Sequence, residues 1–356
     1  MKVMTDSQVK KLSSFLESGE HKVLFYHNDA DGICSAALFM KFFEDFDARP
    51  RGGPIVDDGF VKEIELEKPE LMVFLDLPID QSWKNLQRLL KRLPELRIAI
   101  IDHHFFEKNM NKSDGKRIVH INPMFYSKQY IPASAVVYHL LNEMEMPASP
   151  YVWISSIGIV GDYGFETAFC KKILGECKRM YPELLCQDVL ESRISEGADT
   201  ISALTAVKGL RGAEKALEFL LKSRYYKDFS SIKTLEKINS LVKEEMEKVI
   251  RRAEAKKKEA GEVIFFPLKS RFGIYQDVAN RLARKYPKKI VVTLRDFGGG
   301  FFKLSMRNQS GKYNLSMIAK KCSAGIGNGG GHAKAAGAVV NDLKKFKKRL
   351  LKEVNG

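Results

Sequence analysis

Cysteine is scarce in this sequence: five residues in 356, namely Cys34, Cys170, Cys177, Cys186 and Cys322, scattered and never spaced CxxC. Neither a disulfide framework nor a thiolate zinc site is indicated, and buried reduced thiols are the expectation. Long apolar runs are missing as well. No uninterrupted stretch approaches the roughly 20 residues that span a bilayer. The opening segment MKVMTDSQVKKLSSFLESGE has polar and acidic residues where a signal peptide needs its apolar region. A soluble, cytoplasmic protein with no membrane partner is expected. Internal repeats and low-complexity tracts are absent too. With 44% hydrophobic and 29% charged residues, the composition suits neither a disordered nor a fibrous chain. The length exceeds one compact α/β unit, so two domains are expected.

Charge is present in excess and unevenly placed. The net charge is +15, yet residues 1–200 hold 24 basic and 30 acidic side chains, while residues 201–356 hold 35 and 14. A neutral-to-acidic half that can hold cations, joined to a strongly basic half that attracts a polyanion, is the asymmetry of an enzyme acting on nucleic acid. A lysine-rich solvated surface would give the same count.

The first half alternates β-rich runs with helical patterns. KVLFY (22–26) precedes GICSAALFMKFF, LMVFLDL (71–77) precedes WKNLQRLLKRL, and RIAIID (97–102) and RIVHI (117–121) precede SAVVYHLLNEM. This predicts an α/β fold with a parallel sheet covered by helices and ligands at the carboxyl ends of the strands, in a domain over 1–200. From there Ile232, Leu235, Ile238, Val242, Met246, Val249 and Ala253 recur at spacings of three and four, predicting an amphipathic helical connector over 201–260. Such a stripe packs between domains or forms a coiled-coil dimer. VIFF, YQDVANRLARKY, KIVVTLR, FFKLSMR, a glycine-rich loop and a basic terminal helix then predict a smaller α/β domain over 261–356.

Five constellations carry chemistry. His27-Asn28-Asp29-Ala30-Asp31-Gly32 follows the first strand, and two carboxylates that close repel each other unless a cation lies between them. Helix capping by Asp is the competing explanation for one of them. Asp76 ends the second apolar run, Asp102-His103-His104 the third, and Asp162 follows IGIVG, which together predict acid or imidazole along one sheet edge. Oxygen and imidazole donors without thiolate suit Mn²⁺ or Mg²⁺. In the last domain, Gly329, Gly330 and Gly331 before His332 would let backbone N–H groups approach an anion or would simply turn the chain. Lys303, Ser305 and Arg307 alternate with Leu304 and Met306, so one face of that strand is basic and hydroxylated and could hold a phosphate.

In this order, HNDADG, Asp76, the DHH tripeptide at 102–104, INP at 121–123, Asp162 within GDYG, and GGGHAKAAG resemble the DHH phosphoesterase superfamily with its DHH-associated C-terminal domain, most of all its RecJ-like exonuclease and nanoRNase branch. The resemblance runs over nearly the whole chain. It implies that His27, Asp29 and Asp76 hold one Mn²⁺ and that Asp31, Asp76, His103 and Asp162 hold the other, with Mg²⁺ as the alternative ion. It further implies that Asp76 bridges the ions, that His104 lies against the scissile phosphate, and that Arg307 and His332 bind substrate. The expected activity is hydrolysis of single-stranded DNA or RNA from an end by two-metal attack of water. Single-stranded nucleic acid or short oligonucleotides are the expected partners, with replication or repair proteins beside them. A nanoRNase or small-dinucleotide phosphodiesterase is the nearest alternative. A non-catalytic replisome scaffold is disfavoured because the implied ligand set is complete.

Overall fold

A computed structural model describes residues 2–54, 56–331 and 333–355, with Asn355 by its backbone alone. The chain divides into two compact units, Met1–Asn239 and Ser240–Gly356. The first contains five strands: β1 Lys22–His27, β2 Asp47–Arg51, β3 Leu71–Leu75, β4 Arg97–Ile101 and β5 Ile118–Ile121. They form one sheet in the order β2-β1-β3-β4-β5, every pair parallel. Parallel strands are covered on both faces, so their sequences are apolar almost throughout. Val23 to Tyr26 and Leu71 to Leu75 are buried without a break.

One face of this sheet presents Phe25, Met72, Phe74, Ile98 and Ile100 to the helices Asp58–Glu67 and Trp83–Arg92. Phe25 and Phe74 stack with centroids 5.1 Å apart, and Phe60 meets Phe25 edge-on at 5.2 Å. Helix Ala30–Met40, which follows β1, is buried from Ala30 through Phe39. It packs against the apolar helices Ala133–Glu143 and Val152–Gly161. Glycine sets how closely: a Cβ on Gly158 would fall 2.3 Å from the Ser134 hydroxyl, and one on Gly161 would fall 2.6 Å from Cβ of Ala30.

Residues 201–232 lie largely in helices Arg193–Lys208, Leu210–Lys222 and Tyr226–Ser230 of the first unit, and helix Lys233–Ala255 spans the division between the units. Leu235, Ile238, Val242, Met246, Val249 and Ala253 are its buried stripe. Strand β2 carries no apolar run: its sequence DARPR has a proline and three charges. A sheet edge tolerates these because one side of the strand needs no partner.

The second unit has six strands: β6 Lys258–Ala260, β7 Val263–Pro267, β8 Ile290–Asp296, β9 Phe302–Arg307, β10 Gly327–Gly331 and β11 Ala335–Val340, in the order β10-β11-β9-β8-β7-β6. Among the described residues of this unit, only β7 and β8 pair in parallel. The chain is thus α/β with a parallel five-stranded sheet and a smaller mixed-sheet unit. Residues Gly329–Gly331, expected as a loop, instead end edge strand β10, which pairs antiparallel with β11. The glycines are required there by close approach. A Cβ on Gly329 would lie 2.7 Å from the Ala319 carbonyl, and Gly331 has φ of 131°, where side chains are strained. Among the described residues no helix is long and apolar enough to cross a membrane.

Candidate metal centre

The carboxyl ends of β1, β3 and β4 supply most of the site. His27 is the last residue of β1, and Asp29 caps the helix that follows. The two oxygens of Asp29 do different things: Oδ1 accepts the Gly32 N–H at 3.0 Å, while Oδ2 lies 2.8 Å from His27 Nδ1. Capping and ligation are therefore not alternatives at this residue. Asp31, in the first turn of the helix, is buried, with its carboxylate accepting the backbone N–H groups of Ala133 at 2.6 Å and Ser134 at 2.9 Å.

Asp76 directly follows β3 with φ of 60°, a left-handed conformation that asparagine and aspartate tolerate better than other side chains. Its N–H donates to the Ile101 carbonyl at 3.0 Å, fixing the turn. Its Oδ2 lies 3.4 Å from His27 Nδ1, and its Oδ1 lies 3.1 Å from His103 Nε2 and 3.7 Å from His104 Nδ1. His103 Nε2 is also 3.4 Å from Asp162 Oδ2 and 3.9 Å from Asp31 Oδ2. Asp162 departs from the expected strand edge, because the run IGIVG before it is helical and the carboxylate comes from the end of helix Val152–Gly161. An apolar run of that length is ambiguous between a buried strand and a buried helix.

Three overlapping groups result whose donor atoms lie within 4.8 Å of one another: His27, Asp29 and Asp76; Asp31, His103 and Asp162; Asp76, His103 and His104. Burial of several carboxylates this close is costly. Burial, then the Asp76 and Asp162 charges, push the Asp31 carboxyl well above its ordinary range, and burial is also the largest cause raising Asp162 to about 6. Asp76 goes the other way: burial opposes ionisation, but the facing His103 and His27 imidazoles outweigh it and hold the carboxyl low. The neighbouring carboxylates overcome burial at His103 and His27 and push both imidazoles up. Despite these distances, His27 Nδ1 and Asp76 Oδ1 are buried without a hydrogen-bond partner. Crowded carboxylates, imidazole nitrogens and orphaned donor atoms fit a divalent cation, which would lower the two histidines to their neutral, ligating form.

Around this centre the chain fixes orientation. Asp102, fully buried, accepts the His104 N–H at 3.3 Å and places its Oδ1 2.8 Å from His104 Nδ1. Tyr130 donates its hydroxyl to Asp162 Oδ2 and meets the His103 ring edge-on at 5.0 Å. Sequence reasoning missed Tyr130, since a lone tyrosine before the Ile-Pro dipeptide carries no signal of its own.

The substrate-binding candidates lie in the second unit. Gly330 of β10, Gly337 of β11 and Ser305 of β9 occupy one row across the sheet, and Gly331 and Gly329 sit beside Ala336 and Ala338. Lys303 is exposed, whereas Ser305 is buried rather than presented to solvent. Arg307 is half-buried, and its Nε donates to Asn280 Oδ1 at 2.6 Å. Leu304 and Met306, on the opposite face, join the core. His332 lies outside the described residues.

The model of the DHH family N-terminal domain matches residues 22–159, and that of the DHHA1 domain matches residues 261–356. Among solved structures, an exonuclease RecJ bound to manganese is 18% identical, with a TM-score of 0.67, covering 99% of this chain and 96% of the other. RecJ from Thermus thermophilus in complex with Mn²⁺ gives 18% and 0.73; 99% of this chain is covered, but it spans only 55% of that enzyme. CDC45 from Entamoeba histolytica gives 12% and 0.57 over the full length of both. At these identities the likeness is one of fold. No curated protein matches the sequence.

Proposed function

This chain belongs to the DHH phosphoesterase family and carries a C-terminal DHHA1 domain, and from that premise we propose that it is a phosphodiesterase using two Mn²⁺ or Mg²⁺ ions to remove nucleotides from an end of single-stranded DNA or RNA. One observation carries the reading: the two oxygens of Asp76 face different donor groups, Oδ2 towards His27 and Oδ1 towards His103. That is the placement a bridging carboxylate needs. His27 and Asp29 would complete one site; Asp31, His103 and Asp162 would complete the other. Two such ions supply a water acidified towards neutrality and a clamp on the attacking and leaving oxygens.

The residues around them set the remaining chemistry. Burial disfavours a charged His104, but Asp102 against its Nδ1 raises the imidazole pKa and favours a proton on both ring nitrogens, so that Nε2–H would donate to a phosphate oxygen. Backbone N–H groups of Ala133 and Ser134 hold Asp31, and the Tyr130 hydroxyl holds Asp162, so neither carboxylate has to reorganise on binding. Lys303, Arg307, the β10 glycines and His332 would bind substrate phosphate, supported by the positive charge of the second unit.

End-labelled DNA and RNA strands of two to thirty nucleotides, digested with Mn²⁺ and resolved by length over time, test this reading. Stepwise shortening of long strands is expected, with Asp76→Ala and His103→Ala inactive but folded. Cleavage confined to the shortest oligomers would place the protein with small-nucleotide phosphodiesterases. Wild-type turnover by Asp76→Ala would remove the metal centre from the mechanism.

A further inference from the structure

Immediately after His104 the chain places a phenylalanine where water reaches it. Phe105 is 66% exposed, more than any other described aromatic side chain of this unit. Its inner face is nevertheless occupied. The Phe105 and Phe106 rings lie nearly parallel, 17° apart with centroids at 6.1 Å; Phe106 meets Phe125 edge-on at 4.7 Å, and Phe125 meets the buried His120 edge-on at 4.9 Å. A ladder of rings thus runs from the interior to the surface, with the exposed Phe105 as its outermost ring.

The backbone carrying that ring is fixed on both flanks by buried polar groups. On the near side, Asp102 accepts the His104 N–H, and the Asn122 side-chain amide donates to the His104 carbonyl at 3.0 Å. On the far side, Oδ2 of buried Asp80 accepts two successive N–H groups, of Glu107 at 2.6 Å and Lys108 at 2.9 Å. An exposed aromatic on a loop held this firmly is a preformed surface, and it stands one residue, about 3.8 Å along the chain, from the histidine assigned to the scissile phosphate.

We propose that Phe105 is the stacking platform for the nucleobase flanking the scissile phosphate, and that substrates are accordingly nucleotide esters and not base-free phosphates. This rests on the phosphodiesterase reading above and deepens it. A flat ring binds the π-face that every base has, so Phe105 selects for the presence of a base and not for its identity.

The test is a cycle on the full chain with Mn²⁺. KM and kcat are measured for wild type, Phe105→Ala and Phe105→Trp on two short oligonucleotides, one intact and one abasic at the residue flanking the cleaved bond. Equilibrium binding of both strands is titrated in parallel. Truncating an aromatic platform weakens binding about 5- to 150-fold, so Phe105→Ala is expected to raise KM for the intact strand in that range. Phe105→Trp keeps the wild-type value, and on the abasic strand all three proteins are equal. Equal losses by Phe105→Ala on both strands, or none on either, overturn the proposal. If wild type cleaves neither strand, the phosphodiesterase reading fails, and the titration still decides the stack: tighter binding of the intact strand that depends on Phe105 upholds it, and equal binding ends it.

Discussion

His120 shows how much one buried side chain can determine. It lies on β5, fully buried, with Nδ1 accepting the Met110 N–H at 3.4 Å and Nε2 without a partner. Burial holds its pKa down at about 4, and the distant Asp102 charge offsets this only in part. The unfolded chain therefore takes up a proton near pH 6.5 that the folded one refuses until about pH 4. Stability attributable to His120 is complete above pH 6.5 and falls as the pH drops through that window, by about 3 kcal/mol in all. Urea denaturation of wild type and His120→Leu between pH 7 and 4 checks this. The variant should lack the part of the acid sensitivity that belongs to this residue, and parallel curves would refute the assignment. At His27 and His103 the surrounding carboxylates outweigh burial and push the pKa up instead, so burial and facing charge move the same residue type in opposite directions within one unit.

Among the elements, the crossing of helices Ala30–Met40, Ala133–Glu143 and Val152–Gly161 matters most, because Asp31 stands inside it. A Cβ on Gly158 would meet Ser134 Oγ at 2.3 Å and Asp31 Oδ1 at 3.0 Å. Overpacking of this kind costs about 1–3 kcal/mol. With roughly 2–4 °C lost per kcal/mol for a unit of this size, Gly158→Ala should melt about 2–12 °C lower. It should also bind Mn²⁺ more weakly in calorimetry, since the serine and the carboxylate that must move share the backbone contacts of Ala133 and Ser134. A variant that melts lower with unchanged Mn²⁺ binding would separate the helix crossing from the metal site. Strand β10 follows the same logic at the other end of the chain, where glycine permits an approach to the Ala319 carbonyl that any Cβ would block.

Across the whole molecule, charge follows the division into units. Residues 1–239 hold 32 basic and 34 acidic side chains, whereas residues 240–356 hold 27 and 10. If the +17 unit takes the nucleic-acid substrate proposed above, binding releases the strand's counterions, and log K for a single strand should fall with log[salt] at a slope of about −0.7 per phosphate neutralised. Thirty-nucleotide strands should give a steep line and dinucleotides a shallow one, measured by fluorescence anisotropy from 50 to 300 mM salt. A flat response for the long strand would confine the substrate to the metal unit. Asp76 and the Lys303–Arg307 strand thus call for different assays, one reading metal and the other salt.

The α/β class, the order of the strands in the chain and the residues that gather around Asp76 were legible in the sequence. Apolar runs, helix starts and acid or imidazole at element ends are local patterns, and the DHH and glycine-rich motifs identify the family from a few residues each. Tertiary structure decided what local patterns leave degenerate. IGIVG is a helix because it packs on Ala30–Met40, DARPR is a strand because an edge of the sheet accepts it, and the glycine run is a strand because β11 lies beside it. Tyr130 joins the site through a contact made with Asp162, 32 residues along the chain, and Phe105 stands out only because its ring is left exposed beside the half-buried Phe106. Each of these depends on which surfaces meet, and that is fixed by long-range packing, to which the sequence at the position itself gives no clue.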